Sequence, residues 1–598
     1  MTTPFPRARH IELAFATGSA ADSAEASDAL GRAQGAQAVL IDAAKLPAPA
    51  AAAAPGKAAL PAGKPAPGAP VPSATLATSA TALPRAGEIE VWHARDGAEI
   101  CLDEDGERAG GAEPLLCPNA PRGRLDLQRA AAEAASRTDA IVFSGIDRWY
   151  AKGPHQAGFC LHCERALVAA LRQSYGDQLQ PFAPFTPVAA APAVHVPLGE
   201  RPFAGMRQAL LLSEPLASLR ASVLAARDAA RKSRGAEISV LARAGALSAL
   251  SLLAARHLDG LIFALPSTDP YDALLPLLCA RAAMGERAAI AELPAGARPD
   301  EVRQLAALAT ACDADVLLAP GASAEAQAAL AAHRQFAALL RERYRPAAPL
   351  SEIDVIIAPR ADHFSGGSHL RISRAAVAAL ARAQLQLGVR LDAPSAGRDG
   401  ARLLLLAGAE SLPDALAPAL RRHVEGGGDL LLVGRCERID DEGRPLGPLF
   451  PEAKPGLERV GDGRVLTVGS PPENASATDW TQLDGALQRA LKELLARAPR
   501  TLALSGRGQL WTRAYLDPER KLDVHLVNLD RREGGFVPAQ GVLLQIAGAA
   551  AGAGRTGFWF AHERGGKEGE RIALNPSGFS VSTVLPAVNV SALLSVPR

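Results

Sequence analysis

The sequence predicts an α/β protein in three parts: a (β/α)8 barrel over residues 1–345, a smaller α/β domain over 346–500, and a small all-β sandwich over 501–598. Three observations predict it. Eight short apolar runs alternate with alanine-rich amphipathic stretches before residue 320, the β-α alternation of a parallel sheet covered by helices. A second, compact β-α-β-α-β pattern follows. After residue 501 the helical period disappears and short alternating runs take over.

The eight runs are HIELAFA (10–16), AQAVLID (36–42), EIEVWHA (88–94), DAIVFSG (139–145), EISVLAR (237–243), DGLIFAL (259–265), RAAIAEL (287–293) and ADVLLAP (314–320). Most are apolar without strict alternation, as strands buried on both faces should be. Helical patterns such as DLQRAAAEAASR and DEVRQLAALATACD lie between them. Eight such units in about 345 residues suit a closed barrel with insertions, with an open doubly wound sheet as the rival. Residues 46–85 are a Pro/Ala/Gly stretch almost without large apolar side chains, so they cannot bury enough surface to offset ordering and read as a loop outside the barrel.

In the second part, EIDVIIAP (352–359), ARLLLLAG (401–408) and LPDALAPALRRHVEGGGDLLLVG (412–434) supply strands and helices, and a helix near 481–497 closes the unit. GGSHL and GDGRVLTVGSPP read as loop glycines, since neither follows a strand as a phosphate-cradling fingerprint. In the third part DPERK is a turn between two strands.

Composition excludes several classes. Hydrophobic residues make up 48% and charged residues 21%, the balance of a globular chain, and the net charge of +1 offers no steering toward nucleic acid or an anionic membrane. No uninterrupted apolar run reaches the roughly 18 residues of a membrane span. The N-terminal apolar run is short and broken by Glu12, so the chain reads as non-exported and cytoplasmic. Seven scattered cysteines do not form a disulfide framework.

The order of parts, with HVEGGGDLLLVG in the second and KLDVHLVNLD in the third, resembles the beta-galactosidase-like and related hypothetical glycoside hydrolases. The resemblance implies a catalytic TIM barrel, an amidotransferase-like domain of the trimerisation type and a β-sandwich. It is most specific over LLCPNAPRGRLDLQRAAAEAASRTDAIVFSGIDRWYAKGPHQAGFCLHCERALVAALRQSYG, where Cys117, Pro118, Asn119, Arg148, Cys160, Cys163, Tyr175 and Gly176 fall at the pattern's positions. It departs at the end of the fourth strand, where Ser144 and Gly145 stand in place of an acid and Asp147 lies next to Arg148.

Glycosidases need two carboxyl groups flanking the scissile bond. The resemblance implies a nucleophile at the seventh strand, which is Glu292, and Asp147 is then the acid/base. Asp96 and Asp269 lie near other strand ends. Trp92 and Trp149, beside Arg148, are expected at the same rim, where aromatic faces suit sugar C–H surfaces. The alternatives are solvated or capping acids and tryptophans packed beneath their own loops.

CLHC, with His155 or His162, invites zinc, but no second Cys-x-x-Cys supplies the remaining ligands. A redox pair and a buried thiol pair are the alternatives, and the last is the expectation, with neither metal nor cofactor. Cys436 lacks the strand-to-helix elbow of an active amidotransferase, so that domain reads as structural, with a homo-oligomer contact as its implied role. The sequence thus points to a glycoside hydrolase-like protein acting on β-linked oligo- or polysaccharide, with a catalytically inactive carbohydrate-binding or scaffold protein as the alternative. The expected partner is carbohydrate, without nucleic acid or membrane.

Overall fold

The computed structural model describes residues 13–15, 38–42, 85–91, 115–148, 160–175, 204–343, 348–391, 402–434, 436–440, 445–450, 456–469, 475, 477–495, 500–516, 521–532, 535–547, 555–562 and 569–597. All eight expected runs are strands: β1 (Leu13–Phe15), β2 (Ala38–Asp42), β3 (Arg85–Glu90), β4 (Ala140–Ser144), β5 (Ser239–Ala244), β6 (Gly260–Ala264), β7 (Ala288–Leu293) and β8 (Asp315–Leu318). They form one parallel sheet in sequence order, and β1 also lies beside β8. The expected loop at 46–85 falls, except for Arg85, outside the described residues.

Parallel neighbours need crossover connections, and from β3 onward the described helices supply them. They are α1 (Pro121–Arg137), α2 (Leu161–Tyr175), α3 (Ala204–Arg234), α4 (Ala249–Ala254), α5 (Pro270–Met284), α6 (Pro299–Ala311) and α7 (Ala324–Arg343). Proline in the first turn starts α1, α5 and α6, where its missing N–H costs nothing. Helix α3 is long and apolar enough over Gly205–Arg234 to cross a membrane by length and composition, yet half of that stretch is buried inside the protein and it packs along α1. These are the marks of a core helix.

The two faces of the sheet differ. Ile141, Phe143, Val240, Ala242, Phe263 and Ala291 join the helices in the main core. Ala140, Val142, Leu241, Ile262, Ala288, Ile290 and Leu317 cluster only with one another, with no helix among them. Successive residues of a strand point to opposite faces, so continuing the second set by two gives Ser144, Arg243 and Glu292, and Glu88 joins it as the register partner of Val142. Polar groups therefore succeed the apolar layer toward the C-terminal ends of the strands.

The second sheet has strands β9 (Ile353–Ile357), β10 (Leu387–Leu391), β11 (Leu403–Ala407), β12 (Asp429–Val433), β13 (Gly456–Val460) and β14 (Gly463–Val468), in the order β10-β9-β11-β12-β14-β13. Only the β13–β14 pairing is antiparallel. This corrects one sequence expectation: GRVLTV is a strand paired on both sides, not part of a glycine loop. Its residues 463–466 are buried against β12, with the Arg464 guanidinium clasping Asp429 at 2.9 and 2.6 Å. Helices α8 (Pro359–Phe364), α9 (Ser368–Arg382), α10 (Ala417–Glu425) and α11 (Ala477–Leu495) flank this sheet. Helix α5 is apolar nearly all round because it is packed between the first sheet on one side and α9 with β10 on the other.

Beyond residue 500 lie a four-stranded and a six-stranded antiparallel sheet sharing one apolar core built on Val524, Leu544, Trp559 and Leu594, and a two-stranded one. Ala348–Pro349, just before the second sheet, adds an edge strand here by pairing with Tyr515–Leu516. Gln304 Nε2 donates to Asn528 O at 2.9 Å and the Tyr515 hydroxyl to Ala311 O at 2.7 Å, tying α6 to this region.

Candidate functional site

Arg243 on β5 links two carboxylates on other strands. Its Nε and Nη2 donate to the two oxygens of Glu292 on β7, at 2.7 and 2.5 Å, and its Nη1 donates to Glu88 Oε1 on β3 at 3.0 Å. The Ser144 hydroxyl on β4 also donates to Glu88. Glu292 is only 5% exposed. Burial opposes the charge of Arg243, but Glu292 and then Glu88 more than offset it, and its pKa lies above the usual value. The Glu292 carboxylate is thus held by a fork that matches its geometry.

Asp147 lies in the turn after β4. Its Oδ1 accepts from Gly245 N at 2.8 Å and its Oδ2 from Ala246 N at 2.7 Å, which ties this turn to the one after β5. Burial raises its pKa, against the pull of those two N–H groups and of Arg148. Gly145 leaves β4 with φ +71°, and a Cβ there would sit 3.2 Å from the Arg148 side chain. A backbone of this shape favours glycine at 145 over a residue with a side chain.

The other expected residues disperse. Asp269 is the N-cap of α5, accepting from Tyr271 N at 2.8 Å, a capping role. Arg148 shares the turn of Asp147. Trp92, Asp96 and Trp149 lie outside the described residues, as does His155. Sequence reading missed Glu88 and Arg243. Their signal was present in the alternation of EIEVWHA and EISVLAR, which carries a charge onto the same face as the apolar layer.

A separate cluster joins the two cysteines of CLHC to a third. The Sγ of Cys117, in the turn before α1, is 3.3 Å from that of Cys160 and 3.6 Å from that of Cys163, all three buried. Asn119 Nδ2 donates to the Cys163 sulfur at 3.3 Å. The edge of a tetrahedron of sulfurs around zinc is about 3.8 Å for a Zn–S length of about 2.3 Å, so these thiols fit three corners of such a site. Sequence reading sought ligands among nearby histidines and missed Cys117, which lies 43 residues before Cys160.

No family model and no curated protein matches this sequence. Solved structures do match the fold. The beta-galactosidase from Bacillus circulans sp. alkalophilus superposes with a TM-score of 0.63 at 12% identity, over 99% of each chain. Gan42B, a GH42 beta-galactosidase from G. stearothermophilus, gives 0.63 at 11% identity over 100% of both chains. Alpha-L-fucosidase isoenzyme 2 from Paenibacillus thiaminolyticus gives 0.56 at 15% identity, over 86% of this chain and 88% of its own. From end to end, the chain resembles the beta-galactosidase-like glycoside hydrolases in fold.

Proposed function

We propose that this protein is a glycoside hydrolase acting on β-linked glycosides, with Glu292 as the carboxylate that attacks or activates at the sugar. The observation that carries this reading is the clasp of Glu292 by Arg243 near the C-terminal end of β7, since a nucleophile must be ionised and fixed in direction. The eight strands are read as a closed (β/α)8 barrel. Support comes from β1 lying beside β8, and from one sheet face that packs on itself with no second layer. The amidotransferase-like domain is assigned to 346–500 and the β-sandwich to 501–598. Asp147, whose pKa burial raises, is the acid/base in this reading, and Trp92, Trp149, Arg148 and Asp96 are assigned to sugar binding.

One observation favours a second reading. Both oxygens of Asp147 are already occupied by backbone N–H groups, and β4 ends without an acid, as a carbohydrate-binding protein that has lost turnover would.

A panel of aryl β-glycosides, beta-galactosides foremost, separates the two. Turnover by the wild type should fall by roughly 1000-fold or more in Glu292→Gln, with the melting temperature little changed. Absence of turnover by the wild type, together with saturable binding of the same glycosides, sinks the enzyme reading in favour of the binding one. Turnover that survives Glu292→Gln moves the site elsewhere.

A further inference from the structure

A groove of about 460 Å³ opens where α5, α9 and α11 meet. It is lined by Arg371, Arg374 and Arg382 of α9, Asp272 of α5, and Trp480 and Asp484 of α11. Spacings of three and eight residues bring the three arginines to one helical face.

Their surroundings are unequal. Arg382 is already engaged, with its guanidinium 4.8 Å above the Tyr271 ring and 3.6 Å from Asp484. Asp272 accepts from the Ser267 hydroxyl at 3.0 Å in the first turn of α5, where the helix end favours a negative charge. Arg371 stands 5.6 Å over the Trp480 ring, a contact with no counter-charge. Arg374, half-buried, has no carboxylate partner among the described residues. Although Asp272 and Asp484 also line the groove, neither Arg371 nor Arg374 makes an ion pair with a carboxylate among the described residues. A guanidinium fork matches the oxygens of a phosphate. The small side chains of Ala375 and Ala378 leave room between them, and Leu483 with the Trp480 ring supplies an apolar wall. The volume is that of an ordinary small-molecule site.

We propose that this groove binds a phosphorylated small molecule, its phosphate held between Arg371 and Arg374 and its organic part laid against Trp480. The site is remote in sequence from Glu292 and independent of the glycosidase reading. A sugar phosphate and a nucleoside phosphate share the required chemistry, and the experiment distinguishes them.

Isothermal titration calorimetry of the full chain with glucose 6-phosphate, AMP, glucose and adenosine is the test. Saturable binding is expected for at least one phosphorylated compound, and none for the two neutral ones. Which of the two phosphorylated compounds binds more tightly identifies the source. Arg374→Ala and Arg371→Gln should each weaken binding by roughly tenfold or more, as loss of a charge-assisted hydrogen bond does. Melting temperatures without ligand identify a variant that fails to fold, and the other variant then carries the test. Absence of binding by both phosphorylated compounds, or equal affinity in the wild type and a folded variant, overturns the proposal.

Discussion

Cys117 is separated from Cys160 and Cys163 by an entire helix and strand, yet its sulfur lies within 3.6 Å of both. Three sulfurs at such spacing, with an amide N–H donated to one of them, suit three corners of a soft divalent ion's site. The sequence, which shows only one Cys-x-x-Cys, argued for less than one zinc. With the third thiol in place, protein kept reduced and dialysed against zinc should retain about one ion per chain. Cys117→Ser should lose most of it. Elemental analysis of both proteins decides the matter: zinc absent from the wild type, or retained unchanged in Cys117→Ser, returns the cluster to buried thiols. The readout is metal content alone, so it stands apart from any question of turnover.

At the scale of elements, α8 shows how a short helix is held by buried polar groups. His369, at the start of α9, accepts from Ala358 N at Nε2 (3.0 Å) and donates from Nδ1 to Ala407 O (2.6 Å), bridging the exits of β9 and β11. Asp362 within α8 accepts from Leu370 N at 2.8 Å, and burial pushes its carboxyl up to about 7 from 3.8. Between those two values the folded protein binds the proton that the unfolded chain has released, so stability falls as pH rises through this window. Asp362→Asn keeps an acceptor for Leu370 and removes the titration. It should be more stable than the wild type at pH 8 by roughly 1–3 kcal/mol, with the gap closing toward pH 4. Denaturant melts at the two pH values check this, and a variant no more stable at pH 8 refutes it. Elements of this kind also show what the sequence could reveal. All eight strands of the first sheet were legible, because each is an apolar run closed by polar or breaker residues. GRVLTV was not, because its flanking glycines mimic a loop and only pairing with β12 buries its first four residues. Glu292 was found through resemblance. Its partner Arg243 lies 49 residues away and Glu88 lies 155 residues from Arg243, and no local pattern joins charges across strands.

The whole molecule is joined by cores that cross the boundaries suggested at residues 345 and 500, since the main cluster runs from Ile89 to Val590. Among the buried histidines along this connected structure, three have a pKa that burial lowers markedly. His333 on α7 is pushed down to about 3, by burial first and then by His562, with which it stacks at 5.6 Å. Burial pushes His369 and His525 down to about 4. A histidine whose folded pKa is depressed contributes stability that is fully present above its unfolded value of about 6.5 and is lost as pH falls toward the folded value. At pH 5 each of the three withholds a proton that the unfolded chain takes up, a loss of roughly 2 kcal/mol apiece at most. Domains have about 5–15 kcal/mol in total, so the sum is a large share of the reserve. Asp362 works in the opposite direction, as do Asp147 and Glu352, whose carboxyls burial also raises. The melting temperature should therefore drop steeply between pH 6.5 and 4.5, and His525→Gln should flatten that slope even if it lowers stability at pH 7. Calorimetric scans across that range test it. A melting temperature that stays level down to pH 4.5 would show that these imidazoles accept protons in the folded state, and that the joints they occupy open to water.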